Sequence, residues 1–166
     1  MMKHFVMAGV LGITLLASGC GTTASSQENT VKKVVVSQKD TQEQAKSIPI
    51  RLTVNGRELK ARLYDTAPAR SLRQQLPKTV ELNDSDNDFC GDTLDIEYQE
   101  GDVQSGYKNG DLAYWPPAKN FVIFVHDEEK SASTDNLVIL GHIDEPQSVL
   151  DSLHGNLTVK IEDAGR

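Results

Sequence analysis

Four aspartates follow one another at the spacing of a calcium-binding loop. In the stretch NDSDNDFCGDTLD, Asp84, Asp86 and Asp88 take loop positions one, three and five, and Asp95 takes position twelve. A loop of this kind needs glycine at its sharp turn and a bidentate glutamate at its last position. Here Phe89 stands at the turn, and strand-like sequence flanks the stretch instead of helices. We therefore interpret it as an acidic, turn-rich connection.

Two histidines and one cysteine have side chains that could take part in catalysis or bind a metal. His126 precedes Asp127, and His142 lies two residues before Asp144, each after an apolar run. A metal site on this pair is the alternative to a hydrogen-bonded role at the strand ends. No serine lies in the strand–turn–helix setting of an activated nucleophile. Cys90 has no histidine at a recognisable spacing and reads as a part-buried apolar residue. We predict no catalytic residue, no metal and no cofactor.

Cys20 has the most specific chemical setting in the sequence. Lys3 and His4 supply a basic start, residues 5–17 are apolar, and LLASGC ends at the cysteine. The apolar run has the length of a signal-peptide core and is too short to span a bilayer. The sequence resembles a bacterial lipoprotein signal, in which the cysteine is acylated after cleavage; an ordinary secretory signal is the alternative. We predict a signal peptide over residues 1–19 and a lipid anchor on Cys20.

The charge of the chain limits its partners. Its net charge is −7, and loss of Lys3 with the signal peptide makes it −8. An acidic surface argues against binding nucleic acid, whose phosphates attract lysine and arginine. The predicted partners are a membrane, through the lipid on Cys20, and a peptide or small molecule. The predicted location is the cell membrane or the outer membrane, on the extracytoplasmic side.

The segment GDLAYWPPAKNFVIFVHD supplies the candidate binding residues. It contains the only tryptophan of the chain and a proline pair. Alternation leaves both faces of residues 121–125 apolar, so one face fills a core and the other lies under a helix, a loop or a ligand. Packing alone, with the prolines as a rigid corner, is the alternative. A ligand site is predicted from aromatic residues and one proline, with Tyr107 as a further loop aromatic: Tyr114, Trp115, Pro116, Phe124 and Tyr98.

The elements that must position these residues begin at residue 48. Residues 20–47 are rich in Thr, Ser, Gln, Asn and Lys, which predicts a flexible tether after the cysteine. The stretch IPIRLTV then alternates apolar and polar residues as a half-buried strand does. Asn55-Gly56 follows as a hairpin turn into a second strand. The folded domain is expected over residues 48–163.

Further periodic segments complete the expected architecture. A short helix follows with Asp65 or Thr66 as its N-cap, and a second with Asp144 as its cap. The polar stretch 83–93 is expected to be a loop. The apolar segments predict strands around residues 80–82, 94–98, 112–115, 121–125, 137–143 and 157–161. About eight strands and two helices predict a mainly β fold, a closed antiparallel barrel; a sandwich is the alternative.

Three motifs carry a resemblance to a known family. GDLAYWPPAKNFVIF, with LVILGHID downstream and TAPARSLRQQLP upstream, resembles the bacterial cyclophilin-like barrel family over residues 48–162. The resemblance implies an eight-stranded barrel with two short helices. It does not imply prolyl isomerase activity, because no Gln-Gly-Gly segment is present and no catalytic arginine can be placed. Arg51 and Arg62 are the candidates. The main hypothesis is a ligand-binding lipoprotein, and the alternative is a weak or divergent isomerase of exported proteins.

Overall fold

The structure is a computed structural model that describes residues 47–165. Within that range, eight strands form a closed antiparallel barrel, which confirms the predicted fold class. The predicted signal peptide, Cys20 and residues 21–46 of the predicted tether lie outside the described residues. The strands are β1 Ile48–Val54, β2 Arg57–Leu63, β3 Lys78–Asp84, β4 Asp88–Thr93, β5 Asp111–Trp115, β6 Asn120–Phe124, β7 Val138–Ile143 and β8 Leu157–Asp163.

The strand order around the barrel is β1-β2-β7-β5-β6-β4-β3-β8, and β8 pairs with β1 to close it. Hairpins join β1 to β2, β3 to β4 and β5 to β6. Asn55 and Gly56 turn the first hairpin with φ of 48° and 87°, a backbone that asparagine and glycine tolerate. Closure leaves no strand edge unpaired, which removes the edges at which sheets aggregate.

The core fills the barrel interior with the alternate residues of each strand. On β1 these are Ile50, Leu52 and Val54, and the intervening side chains point outward. Ala69 and Leu72 from the first helix join the same cluster. Each fully buried aliphatic side chain contributes about 1.5–3 kcal/mol relative to an exposed one.

Two short α-helices connect strands, as predicted. Helix α1 spans Ala67–Gln74, and the hydroxyl of its N-cap Thr66 accepts a hydrogen bond from the amide of Ala69 at 3.3 Å. Helix α2 spans Gln147–Leu150, and its N-cap is Pro146. The prediction that Asp144 caps this helix was wrong, and the carboxylate of Asp144 pairs with Arg62 instead. No helix within residues 47–165 is long and apolar enough to cross a membrane.

The position of the fourth strand corrects the sequence analysis. β4 lies inside the stretch expected to be a loop, and residues 94–98, expected to be a strand, are irregular. β4 buries one large apolar side chain, Phe89, and its register shifts between Gly91 and Thr93, so no alternation marks it. Leu94 and Ile96 are both buried although neither belongs to a strand, and their alternate spacing resembles the apolar pattern of a strand.

The two ends of the barrel differ in what they carry. β1 starts at Ile48 beside Leu63, the last residue of β2. Because neighbouring strands are antiparallel, β5 finishes at this same end with Trp115. We call it the entry end, since the described chain enters the barrel there. The opposite end carries the Asn55-Gly56 turn and the β3–β4 turn.

Candidate functional site

A second apolar cluster lies on the outside of the barrel wall. Its buried members include Tyr107, Val122 and Phe124, and Cys90 and Ile139 pack against them. Tyr107 comes from the loop of residues 103–110, and its ring stacks on Phe124 with 3.7 Å between centroids. The outward face of β6 therefore lies under a loop, one of the three coverings that the sequence pattern left open.

The covering loop is tied to the barrel along its length. Gln104 and Leu137 exchange backbone hydrogen bonds of 2.8 and 3.0 Å. The amide of Gly110 donates to the carbonyl of Phe124 at 2.7 Å. The hydroxyl of Tyr107 accepts a hydrogen bond from the side-chain amide of Asn87. These contacts hold the loop in one position over the apolar cluster.

A cavity of about 620 Å³ lies between this loop, the 3₁₀ helix Glu128–Ser133 and the outer wall of the barrel. Its apolar surface comes from tyrosines and from β7. Its polar surface comes from carboxylates, serines and a lysine. The cavity lining comprises Tyr64, Thr66, Pro68, Asp102, Gln104, Ser105, Gly106, Tyr107, Lys108, Asp111, Glu128, Glu129, Ser131, Ala132, Val138 and Ile139.

The formal charge of the lining is negative. Four carboxylates and one ammonium group line the cavity, which gives −4 + 1 = −3. Three of the carboxylates also accept backbone hydrogen bonds: Asp111 from Lys108 at 2.7 Å, Glu128 from Asn109 at 2.8 Å, and Asp102 from Gln99 at 2.8 Å. A carboxylate has about four acceptor positions, so each can take a further donor.

Asp111 connects the cavity to a row of polar residues across three strands. Arg62 on β2 faces His142 on β7, which faces Asp111 on β5. Nδ1 of His142 lies 3.0 Å from a carboxylate oxygen of Asp111, which is buried. Arg62 pairs with Asp144, and its guanidinium carbon lies 6.0 Å from the ring centre of Tyr64. Asp111, the last residue of this row, lines the cavity directly.

Burial raises the pKa of two groups near the outer apolar cluster, the hydroxyl of Tyr107 and the carboxyl of Asp88. Burial is the main cause that raises the pKa of the Tyr107 hydroxyl, the hydrogen bond from Asn87 lowers it, and carboxylates including Asp127 raise it. Burial also raises the pKa of Asp88 above its ordinary value of 3.8. Asp88 lies on β4 opposite Phe124. Tyr107 is therefore neutral and can donate or accept hydrogen bonds at neutral pH.

Asp88→Asn is expected to stabilise the protein at pH 7 and to make no difference well below pH 3.8. The raised pKa means that the folded state holds the proton of Asp88 more tightly than the unfolded state. The free energy of unfolding therefore falls as the pH rises from about the unfolded value through the folded pKa. Urea unfolding of both proteins at several pH values measures this; an equal difference at every pH would contradict it.

The structure does not bring the five predicted binding residues together in one site. Tyr114 is buried inside the barrel and Phe124 on the outside, on opposite faces of the sheet. Trp115 is 38% exposed, and Pro116 is half-buried in the following turn. Tyr98 is exposed, with its ring centre 5.8 Å from that of Tyr114. None of the five lines the cavity. Their role in ligand binding stays a prediction.

The other residues considered for chemistry are dispersed. The carboxylate of Asp84 accepts a hydrogen bond from the amide of Gly155 at 2.7 Å. His126 lies 3.7 Å from a carboxylate oxygen of Asp151. Within residues 47–165, no group of three or more His, Cys, Asp or Glu side chains is close enough to hold a metal ion.

Sequence reasoning missed most of the cavity. Neither Asp111 nor Tyr64 was among the predicted site residues, although both line the cavity. Tyr107 was noted as a loop aromatic, and it is the one noted aromatic that lines the cavity. No periodic signal marks these positions, because the lining comes from separate loops and strands.

Comparison with known proteins agrees with the architecture. The sequence model described as the cyclophilin-like family matches residues 52–162. The solution structure of a hypothetical protein from Archaeoglobus fulgidus superposes with a TM-score of 0.51, at 17% identity, over 72% of this chain and 96% of that one. At that identity the likeness shows the fold alone. No curated protein sequence matches the chain.

Proposed function

The chain belongs to the cyclophilin-like family, and we propose that its barrel is a binding module that takes a small ligand or a peptide segment in the cavity beside Tyr107. The cavity itself is the observation that carries this proposal. Its volume of about 620 Å³ lies within the range of small-molecule sites, roughly 300–1,000 Å³. Its lining is more polar than that of most such sites: besides two tyrosines and the aliphatic residues of β7, nine of its sixteen residues carry charged or neutral polar side chains.

The lining favours a ligand with a positive charge. Its formal charge of −3 attracts cations, and the half-buried Tyr64 offers aromatic surface to an ammonium or guanidinium group. Candidate ligands are therefore organic amines and peptide segments that carry lysine or arginine. An anionic ligand would face four carboxylates and a single lysine.

The binding module is proposed to work outside the cytoplasm as a lipoprotein. The basic start, the apolar run and LLASGC support cleavage before Cys20 and acylation of its thiol. Acyl chains contribute about 0.8 kcal/mol per buried methylene, enough for two or three chains to anchor a protein without a transmembrane helix. The proposed location is the cell membrane or the outer membrane.

Isomerase activity is the competing proposal. It requires an arginine that donates into an apolar groove. Arg51 pairs with Glu58 at 3.2 Å on an exposed face. Arg62 lies nearer the cavity, and its buried Nε has no hydrogen-bond partner among the described residues, but Asp144 holds its guanidinium. A protease-coupled isomerisation assay is expected to give the uncatalysed rate; acceleration that Arg62→Ala abolishes would favour the isomerase.

Ala132→Trp tests the cavity directly. Ala132 is exposed and lines the cavity, so a tryptophan there fills the site without disturbing the core. A panel of amines and of lysine- and arginine-containing dipeptides is titrated into the protein by calorimetry. Because the new tryptophan fills the site, the variant is expected to bind the best of them at least about tenfold more weakly. A tenfold loss of affinity corresponds to about 1.4 kcal/mol.

The matched control is Ala164→Trp, an exposed alanine that does not line the cavity. It is expected to bind like the unsubstituted protein. Glu129→Gln is expected to weaken binding and its salt dependence, because one lining carboxylate is lost. The proposal fails if nothing in the panel binds, or if both tryptophan variants behave alike. Binding of anions only would overturn the charge assignment.

A further inference from the structure

The turn between β5 and β6 is the apolar projection of the entry end. It reads WPPAK, residues 115–119, and joins a tryptophan, two prolines and an alanine to one lysine. Trp115 is 38% exposed, and Pro117, Ala118 and Lys119 are exposed as well. Within residues 47–165, Trp115 and Tyr98 are the large hydrophobic side chains that stand exposed. Trp115 belongs to neither apolar cluster of the barrel.

We propose that this turn rests on the lipid surface to which the protein is anchored. The inference rests on the proposed lipid anchor at Cys20. Residues 21–46 separate that anchor from the described chain, and a flexible coil of that length has an end-to-end distance of about 30 Å. The chain then enters the barrel at Ile48, at the same end as the turn. The anchor therefore brings the entry end close to the membrane.

The chemistry of the turn fits a membrane interface. Tryptophan favours the headgroup region, because its ring is apolar while its indole N–H needs a polar partner. Lys119 is the one charged residue in the turn, and it can pair with lipid phosphates. Tyr98 lies at the same end but is flanked by Glu97, so we leave it out of the contact. The opposite end carries the aspartate-rich turn DSDND and, among the described residues, no exposed large apolar side chain.

The turn is also held in shape before any contact. The amide of Lys119 donates a hydrogen bond to the carbonyl of Pro116 at 3.2 Å. The carbonyl of Lys119 accepts one from the amide of Leu94 at 2.9 Å. The proline pair restricts the backbone further. A turn that is already ordered loses little conformational entropy when it binds a surface.

Fluorescence of Trp115 tests the inference, because it is the only tryptophan. The full chain is produced in a bacterial host with a lipoprotein-processing pathway, and intact mass shows whether Cys20 is acylated. The lipidated protein is reconstituted into phosphatidylethanolamine–phosphatidylglycerol vesicles with acyl chains brominated near the headgroup. Trp115 is expected to shift to the blue and to lose roughly half its emission, since tryptophan at this depth is within reach of the bromines.

Two variants serve as controls. Trp115→Phe with Ser85→Trp moves the tryptophan to the exposed DSDND turn, where it is expected to stay unquenched. Lys119→Glu is expected to reduce quenching at Trp115 while acylation of Cys20 is unchanged. A lipidated protein whose Trp115 is unquenched overturns the inference and leaves the proposed anchor standing. Equal quenching at both ends overturns the orientation, and a blue shift without quenching indicates a protein contact instead. Absence of lipid on Cys20 overturns both the proposed anchor and the proposed membrane contact of the turn.

Discussion

Gly141→Ala is expected to lower the free energy of unfolding by about 3 kcal/mol, the upper range for overpacking a tight site. A Cβ atom at this position would lie 2.0 Å from the carbonyl oxygen of Arg62 and 2.9 Å from Cα of Leu63. Both are backbone atoms, so no side-chain rotation relieves the clash. β2 and β7 would have to move apart, and three residue pairs join them. The variant therefore weakens the pairing of β2 with β7 within the closed barrel.

Gly101→Ala is the matched control for that experiment. No heavy atom lies within 4 Å of a Cβ built on Gly101, which sits in the 3₁₀ helix Glu100–Asp102. Its free energy of unfolding is expected to stay within about 0.5 kcal/mol of the parent, as for most surface substitutions. Urea unfolding, followed by circular dichroism, measures both variants. A Gly141→Ala protein as stable as Gly101→Ala would show that the strands approach less closely than the structure has them.

Asp111→Ala is expected to cost about 2–3 kcal/mol of stability, because it removes two hydrogen-bonding contacts of a buried carboxylate. One oxygen of Asp111 accepts the amide of Lys108, and the other contacts His142. Lys108 belongs to the loop that covers the apolar cluster and lines the cavity. Loss of the carboxylate therefore loosens the loop as well as the fold. Ligand binding in the cavity is expected to fall together with stability.

Asp111→Asn separates the two effects of that change. The amide oxygen can still accept from Lys108, and the amide nitrogen can donate to a neutral His142, so the cost in stability is expected to be smaller. The negative charge is nevertheless lost, and a cationic ligand is expected to bind more weakly. Unfolding curves and calorimetric titrations of both variants test this. Unchanged stability of Asp111→Ala would contradict the role of Asp111 in holding the loop.

Local patterns were sufficient for much of the barrel. Asn55-Gly56 determined the first hairpin, because few residues tolerate its positive φ values. Alternation of apolar residues gave the inward face of β1, since side chains in a strand point to opposite sides in turn. Thr66 was one of two expected caps, because its hydroxyl can accept an amide of the first helical turn. Each of these features depends on neighbours within a few residues.

The tertiary structure alone decided how separate segments meet. β4 has little pattern of its own and forms because β3 and β6 flank it on either side. Asp111 meets His142 through the register of β5 and β7, 31 residues apart in the chain. The two apolar faces of β6 were predicted, but the sequence left open whether a helix, a loop or a ligand covers the outer one. Periodicity shows which side of a strand is apolar; it contains no information on which distant strand or loop packs there.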